Sequence, residues 1–135
     1  MEISSATGWV AYALIACAAT VPLGYRILNR RRAAPDSKPI GIHATIGIAT
    51  AAAAGGHTLA ILPSLGSPAA VGGGMLAILP ATLAFFLLFA HVGVGMQLRN
   101  VKLRDRLKKR RLHLFLASAI AITATAHVVF LLRAG

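Results

Sequence analysis

Residues 43–57 read HATIGIATAAAAGGH, and residues 113–127 read HLFLASAIAITATAH. Each stretch begins and ends with a histidine, so two histidine pairs share a spacing of fourteen residues within two separate apolar segments. At 3.6 residues per turn, fourteen residues fall about 40° short of four turns, and the shortfall disappears at the period of 3.5 of a left-handed bundle. Each pair is therefore predicted to lie on one face of a helix, with its two levels about 21 Å apart along the axis.

Composition indicates a membrane protein. Hydrophobic residues make up 57% of the 135 residues, and a mean hydropathy of +0.74 is far above that of a soluble domain of this size. The acidic residues Glu2, Asp36 and Asp105 all lie outside the apolar runs. Four such runs are long enough to cross a bilayer: residues 8–25, 39–65, 71–98 and 112–132. We expect an all-α membrane protein made of a single four-helix transmembrane bundle, whose water-soluble redox or catalytic partner is another polypeptide.

Basic residues predict the orientation of this bundle. Every lysine and arginine except Arg133 lies in the first or third connection between the apolar runs, and the second connection, residues 64–74, has none. The positive-inside rule places the first and third connections in the cytoplasm, so both termini of an up-down-up-down bundle are expected on the non-cytoplasmic side. The basic clusters are interpreted as topology signals that also contact anionic lipid headgroups, with an acidic protein partner as the alternative. Nucleic acid is not expected as a partner, because no aromatic residue is interleaved with the charges.

Orientation and histidine spacing together predict two cofactor sites. Helices 2 and 4 both run outward from the cytoplasmic side and lie diagonally across the core, so their histidines match in depth. His43 faces His113 near the cytoplasmic side, and His57 faces His127 near the opposite side. Each couple is predicted to bind one haem iron from both faces. Cys17 is the one cysteine and no C-x-x-C-H motif is present, so the haems are expected to be b-type, held by coordination and packing.

The residues beside the histidines favour the binding of a flat, bulky cofactor. Small side chains lie one turn toward the bilayer centre from each histidine, and a larger residue lies midway between the two levels of each pair. The small residues are Gly47, Ala53, Ala117 and Thr123, and the midpoints are Thr50 and Ile120. Small residues also promote helix packing in any membrane bundle, so packing without haem is an equally good interpretation of them alone.

This pattern resembles the di-haem core of membrane b-type cytochromes, including the cytochrome b of quinol-oxidising complexes. The resemblance covers the four paired histidines with their small neighbours, which is about half of the chain. It implies electron transport across a bacterial inner membrane, either cytoplasmic or intracytoplasmic, by a subunit of a larger respiratory or photosynthetic complex with quinone as a further partner. Because two axial histidines saturate the iron, no enzymatic activity is expected from this chain. In this family haem propionates meet cations, for which Lys38, Arg110 and Arg111 are available at the inner level and Arg133 at the outer.

His91 has no partner at the same spacing and lies on neither ligand helix. We expect it to hydrogen-bond a haem propionate or the bundle interior, with a quinone contact as the sharper alternative.

Three other functions remain open. A small transporter could use histidines as a proton relay, although no carboxylate lies within the spans. A zinc or copper site would also suit imidazole, but only two histidines are expected at each level. A structural or pigment-binding subunit is the third, although chlorophyll takes a single axial ligand.

Overall fold

A computed structural model of the chain describes residues 3–65 and 74–134. The described residues form four α-helices and a short 3₁₀ turn: α1 (Ile3–Asn29), α2 (Lys38–Ile61), the 3₁₀ turn (Leu62–Ser64), α3 (Gly74–Arg99) and α4 (Arg106–Ala134). Each α-helix is long and apolar enough to cross a bilayer. The predicted all-helical architecture is confirmed, with four helices that have the length and apolar composition of membrane spans, and this indicates a multi-pass membrane protein.

The ends of the helices differ from the predicted apolar runs. Helix α1 continues to Asn29, where Arg30 adopts a left-handed φ of 51° of the kind that ends many helices, and α4 begins at Arg106. The extension of α4, residues 106–111, is rich in arginine and lysine, whereas that of α1, residues 26–29, contains one arginine, Arg26. Both residue types are good helix formers and need not end a helix at the edge of the hydrocarbon layer. Helix α2 ends earlier than expected, since Pro63 lacks a backbone N–H and the chain continues as a 3₁₀ turn. Most of the predicted second connection, residues 66–73, lies outside the described residues.

The helices are arranged as two closely packed pairs. Helix α1 packs along α2, and α3 packs along α4, whereas α2 and α3 touch over a shorter length. Helices α2 and α4 are not among the closely packed pairs of the described chain. A hydrogen bond of 3.0 Å between the Tyr12 and Thr125 hydroxyl groups links α1 to α4. The two helix pairs therefore meet along the shorter α2–α3 contact, while the backbones of α2 and α4 stay farther apart.

Lipid is the natural solvent for the outside of this bundle. Large apolar side chains are exposed on all four helices, and examples include Leu28, Ile48, Phe86 and Ile122. The buried set is small by comparison: Ala11, Thr50, Leu88, Val94, Leu116 and Ile120. Lipid tails are as apolar as leucine, so helices in a membrane associate through local packing and small residues rather than through a large apolar core.

Two midpoint residues are the most buried of the described side chains. Thr50 is 2% exposed and Ile120 is 3% exposed. Each lies halfway between the two histidines of its helix, and residues seven apart share a helix face. The Thr50 hydroxyl donates a hydrogen bond of 2.8 Å to the Ile46 carbonyl oxygen, so its polar group is satisfied within α2. The histidine-bearing faces of α2 and α4 are therefore turned toward the bundle interior.

Replacement of Ile120 by alanine tests this packing. We expect Ile120→Ala to lower the free energy of unfolding by about 2–5 kcal/mol, because it leaves a cavity at a closely packed point. Ile122→Ala on the same helix is the matched control, since Ile122 is 69% exposed, and it should change stability by less than about 0.5 kcal/mol. Titration of detergent-solubilised protein with a denaturing detergent measures both values. Equal losses for the two variants would contradict the interior position of Ile120.

Candidate cofactor site

Three histidines from three helices meet at one level of the bundle. The ring centroids of His43 on α2 and His113 on α4 lie 6.0 Å apart, with the ring planes at 83°. His91 on α3 stacks on His113, with centroids 3.7 Å apart and planes within 15° of parallel. The predicted His43–His113 couple is therefore brought together across the interface between the two helix pairs. The expectation that only two histidines meet at each level is wrong here, because α3 delivers His91 to the same level.

Helix α1 orients the ring of His43. The Nδ1–H group of His43 donates a hydrogen bond of 2.8 Å to the carbonyl oxygen of Ala18. Because one ring nitrogen carries this proton, the other, Nε2, has the lone pair that a metal ligand needs. Histidines that bind metals commonly donate their second nitrogen to a carbonyl or carboxylate in this way.

Helix α1 also contacts the second histidine of α2. The Thr7 hydroxyl oxygen lies 3.2 Å from Nδ1 of His57. Both histidines of α2 thus use Nδ1 toward α1, at points fourteen residues apart along α2. His127 of α4 is half-buried, as His57 is.

Two glycines make room for imidazole rings. A Cβ atom added at Gly8 of α1 would lie 3.0 Å from Cε1 of His57, and one added at Gly95 of α3 would lie 3.1 Å from Cε1 of His113. Both distances are tighter than an ordinary van der Waals contact of about 3.5–4.0 Å. Helices α1 and α3 therefore each have a glycine where a histidine ring of the neighbouring helix packs against the backbone.

Several of the small residues that were predicted to lie beside the histidines border unfilled space. A Cβ atom added at Gly47, one turn from His43, would meet nothing within 4 Å. Ala53 lines a groove of about 230 Å³ between α1 and α2, and Thr123 lines one of about 530 Å³ between α3 and α4. The Thr123 hydroxyl donates a hydrogen bond of 2.8 Å to the Ala119 carbonyl oxygen, so the hydrogen-bonding capacity of its proton is met within α4.

Cations surround the end of the bundle nearest His43 and His113. Lys38 opens α2, and Arg110 and Arg111 lie in the first turns of α4. Arg110 is half-buried and lies near enough to Arg32 of the first connection to be repelled by its charge. No ion pair joins these cations to Asp36 or Asp105 in the part of the chain that the structure describes, so their charge is available to an anionic group.

The three inner histidines do not form a site for a bare metal ion. Among residues 3–65 and 74–134, no group of three or more histidine, cysteine or carboxylate side chains has a geometry that could hold one ion. The lone pairs of imidazole lie in the ring plane, so the parallel rings of His91 and His113 direct them along separate lines rather than toward one point. The Nδ1 atoms of both rings are buried without a hydrogen-bond partner among the described residues.

Sequence reasoning did not identify Thr7, Gly8, Ala18 or Gly95 as parts of the site. Ala18 acts through its backbone, which leaves no trace in residue type. Gly95 could have been identified from the sequence, because it follows His91 by one turn and therefore lies on the same face of the helix.

Comparison with known protein families, curated proteins and solved structures finds no match to this chain. The geometry of the histidines therefore carries the functional argument.

Substitution of Gly8 tests the packing of α1 against His57. We expect Gly8→Ala to displace the ring and lower the free energy of unfolding by about 1–3 kcal/mol, as overpacking does. Gly24→Ala on the same helix is the control, because a Cβ there meets nothing within 4 Å, and it should stabilise the helix by about 0.5–1 kcal/mol. Thermal unfolding in detergent compares the two variants. A neutral or stabilising Gly8→Ala would show that the ring of His57 does not pack on α1.

Proposed function

We propose that this chain is a di-haem b-type cytochrome that carries electrons across a bacterial inner membrane as a subunit of a larger redox complex. The observation that carries the proposal is the approach of His43 and His113 from opposite helix pairs, on faces marked by the buried midpoints Thr50 and Ile120.

The inner couple has dimensions suited to one iron between two imidazoles. Metal–imidazole bonds are about 2 Å long and each nitrogen lies about 1 Å from its ring centre, so rings bound to opposite sides of one metal have centroids about 6 Å apart. The separation of 6.0 Å between His43 and His113 agrees with this value. The hydrogen bond from His43 to Ala18 and the space beside Gly47 are two further features of a haem ligand helix. The residues present therefore fit the group.

Contacts between helices support an up-down-up-down arrangement. Gly8 packs on His57 while Ala18 accepts from His43, so residue numbers fall along α2 as they rise along α1. In the same way Gly95 of α3 packs on His113, whereas the earlier part of α3 shares a groove with the later part of α4. His43 meets His113, and the Tyr12 hydroxyl of α1 meets the Thr125 hydroxyl of α4 nearer the other end, so α2 and α4 are proposed to be parallel and matched in depth. The proximity of Arg32 to Arg110 supports a shared cytoplasmic end for the first and third connections.

The outer haem is proposed at His57 and His127. The four turns that separate the two histidines of each ligand helix place the levels about 21 Å apart. Thr7 and Gly8 support His57 as Ala18 supports His43, so each level of α2 has its own supporting contact from α1.

Haem at such a site would supply a one-electron redox couple. His43 and His113 would hold the inner haem and His57 and His127 the outer one, which would leave no position for oxygen or substrate and restrict the chemistry to electron transfer. The chain's own residues hold the rings, fill the space between the levels with Thr50 and Ile120, and exclude water. The redox chemistry at either end is assigned to partner proteins or quinone.

Propionate groups at the inner level are proposed to meet Lys38, Arg110 and Arg111. These cations have no acidic partner among the described residues, and a buried or half-buried carboxylate needs one. Membrane lipid headgroups are the competing anions at the same depth.

Absorption spectroscopy tests the assignment. We expect the purified protein in detergent to show sharp Soret and α bands on reduction and to contain about two haems per chain. His57→Ala should lose about half of the haem and leave the inner site intact. Thr58→Ala is the matched control, because among the described residues the Thr58 hydroxyl donates a hydrogen bond to the Ala54 carbonyl oxygen of its own helix. A colourless wild-type protein would contradict the proposal, and complete loss of haem in His57→Ala would contradict the pairing into two levels.

A further inference from the structure

Three histidines lie at the inner level, and two of them, His43 and His113, are proposed haem ligands. The third, His91, does not belong to a pair spaced fourteen residues apart and is not a proposed ligand. We propose that His91 is a positioning residue that fixes the ring plane of His113, and with it the angle between the two axial imidazoles of the inner haem. This inference rests on the proposed function and assigns to α3 a role in that same site.

The rings of the ligand histidines are fixed in different ways. On α2, His43 is tied to the Ala18 carbonyl and His57 lies at hydrogen-bonding distance from the Thr7 hydroxyl. The Nδ1 atom of His113, by contrast, is buried and has no hydrogen-bond partner among the described residues. The torsion that turns an imidazole plane has a broad energy profile, so a ring that lacks a hydrogen bond at Nδ1 needs another restraint on its plane. Something other than a hydrogen bond through Nδ1 must set the plane of His113.

Two residues of α3, His91 and Gly95, contact the ring of His113. The ring of His91 covers one face of His113 at 3.7 Å and within 15° of parallel. One turn further along α3, Gly95 lets the edge of the ring approach so closely that an added Cβ would lie 3.1 Å from its Cε1 atom. Stacking restrains rotation of the plane, and the backbone at Gly95 restrains sliding within it. The result is a plane at 83° to that of His43.

The relative orientation of axial ligands has a measurable consequence. The protein tunes a bound haem through its axial ligands and the groups around them. The electron paramagnetic resonance (EPR) spectrum of a ferric haem with two imidazole ligands responds directly to the angle between their planes. Near-perpendicular planes give a signal dominated by one large g value, and near-parallel planes give three well-separated g values.

The experiment compares variants of His91 in the full-length, haem-loaded protein. We expect His91→Ala to retain both haems and to move the inner EPR signal away from the near-perpendicular form, because the ring of His113 loses its restraint. His91→Phe keeps a flat ring for stacking but has no nitrogen, and it should retain the wild-type signal. The signal of the outer haem serves as an internal reference and should not move.

A second pair of variants tests the contact between the ring of His113 and the backbone of α3 at Gly95. Gly95→Ala should shift the inner signal, whereas Gly93→Ala should leave it unchanged, since a Cβ at Gly93 meets nothing within 4 Å. This pair decides the question if a variant of His91 fails to fold.

The outcomes separate this inference from the proposed function. Bound haem with an unchanged inner signal in both His91→Ala and Gly95→Ala overturns the role of His91 and leaves the cytochrome assignment standing. Failure of His91→Phe to restore a signal that His91→Ala has shifted overturns stacking as the cause. Absence of haem from the wild-type protein overturns the proposed function instead.

Discussion

The seven-residue step from a histidine to a buried midpoint and on to a second histidine is the constraint on which this structure depends. A helix in a left-handed bundle returns to the same face every seven residues, so burial of the midpoint turns both flanking histidines inward. Thr50 holds this position on α2 and Ile120 holds it on α4. Had either midpoint faced lipid, its two histidines would have faced lipid as well, and imidazole nitrogens exposed to hydrocarbon are costly.

In each helix pair, one helix carries the histidines proposed as haem ligands and is here termed the ligand helix, and the other contacts their rings and is termed the supporting helix. Helix α1 supports the histidines of α2 through the Ala18 carbonyl, the Thr7 hydroxyl and the glycine at position 8. Helix α3 supports His113 through a stacked imidazole and a glycine rather than through a hydrogen bond to Nδ1. Because each ligand helix packs closely on its own supporting helix, the backbones of α2 and α4 can stay apart while their side chains meet. A flat cofactor held from both faces needs this combination of fixed rings and separated backbones.

Much of this arrangement could be predicted from the sequence, because it depends on periodicity within single helices. Four apolar runs predicted four spanning helices, and the spacing of the histidines predicted their shared faces. The meeting of His43 and His113 was expected from matched depth on parallel helices, an orientation inferred from the basic clusters. The level of His91 could not be obtained in this way, since it depends on the length of the turn between α3 and α4 and on where α4 begins. Arg106 helps to fix that turn by donating to the carbonyl oxygens of Leu98 and Asn100, a contact that no periodicity reveals. Close approaches such as that of Gly8 depend on the rotation of α1 about its own axis, which the presence of an apolar run does not determine.

The position of iron in the folded protein is the most direct test of two haems bound between α2 and α4. An anomalous difference map collected from crystals at the iron absorption edge needs no assumption about spectra or partners. The account expects two peaks about 21 Å apart, one between His43 and His113 and one beside His57 and His127. A map without an iron peak would contradict the assignment. A single peak away from the interface between the Thr50 face of α2 and the Ile120 face of α4 would contradict it as well.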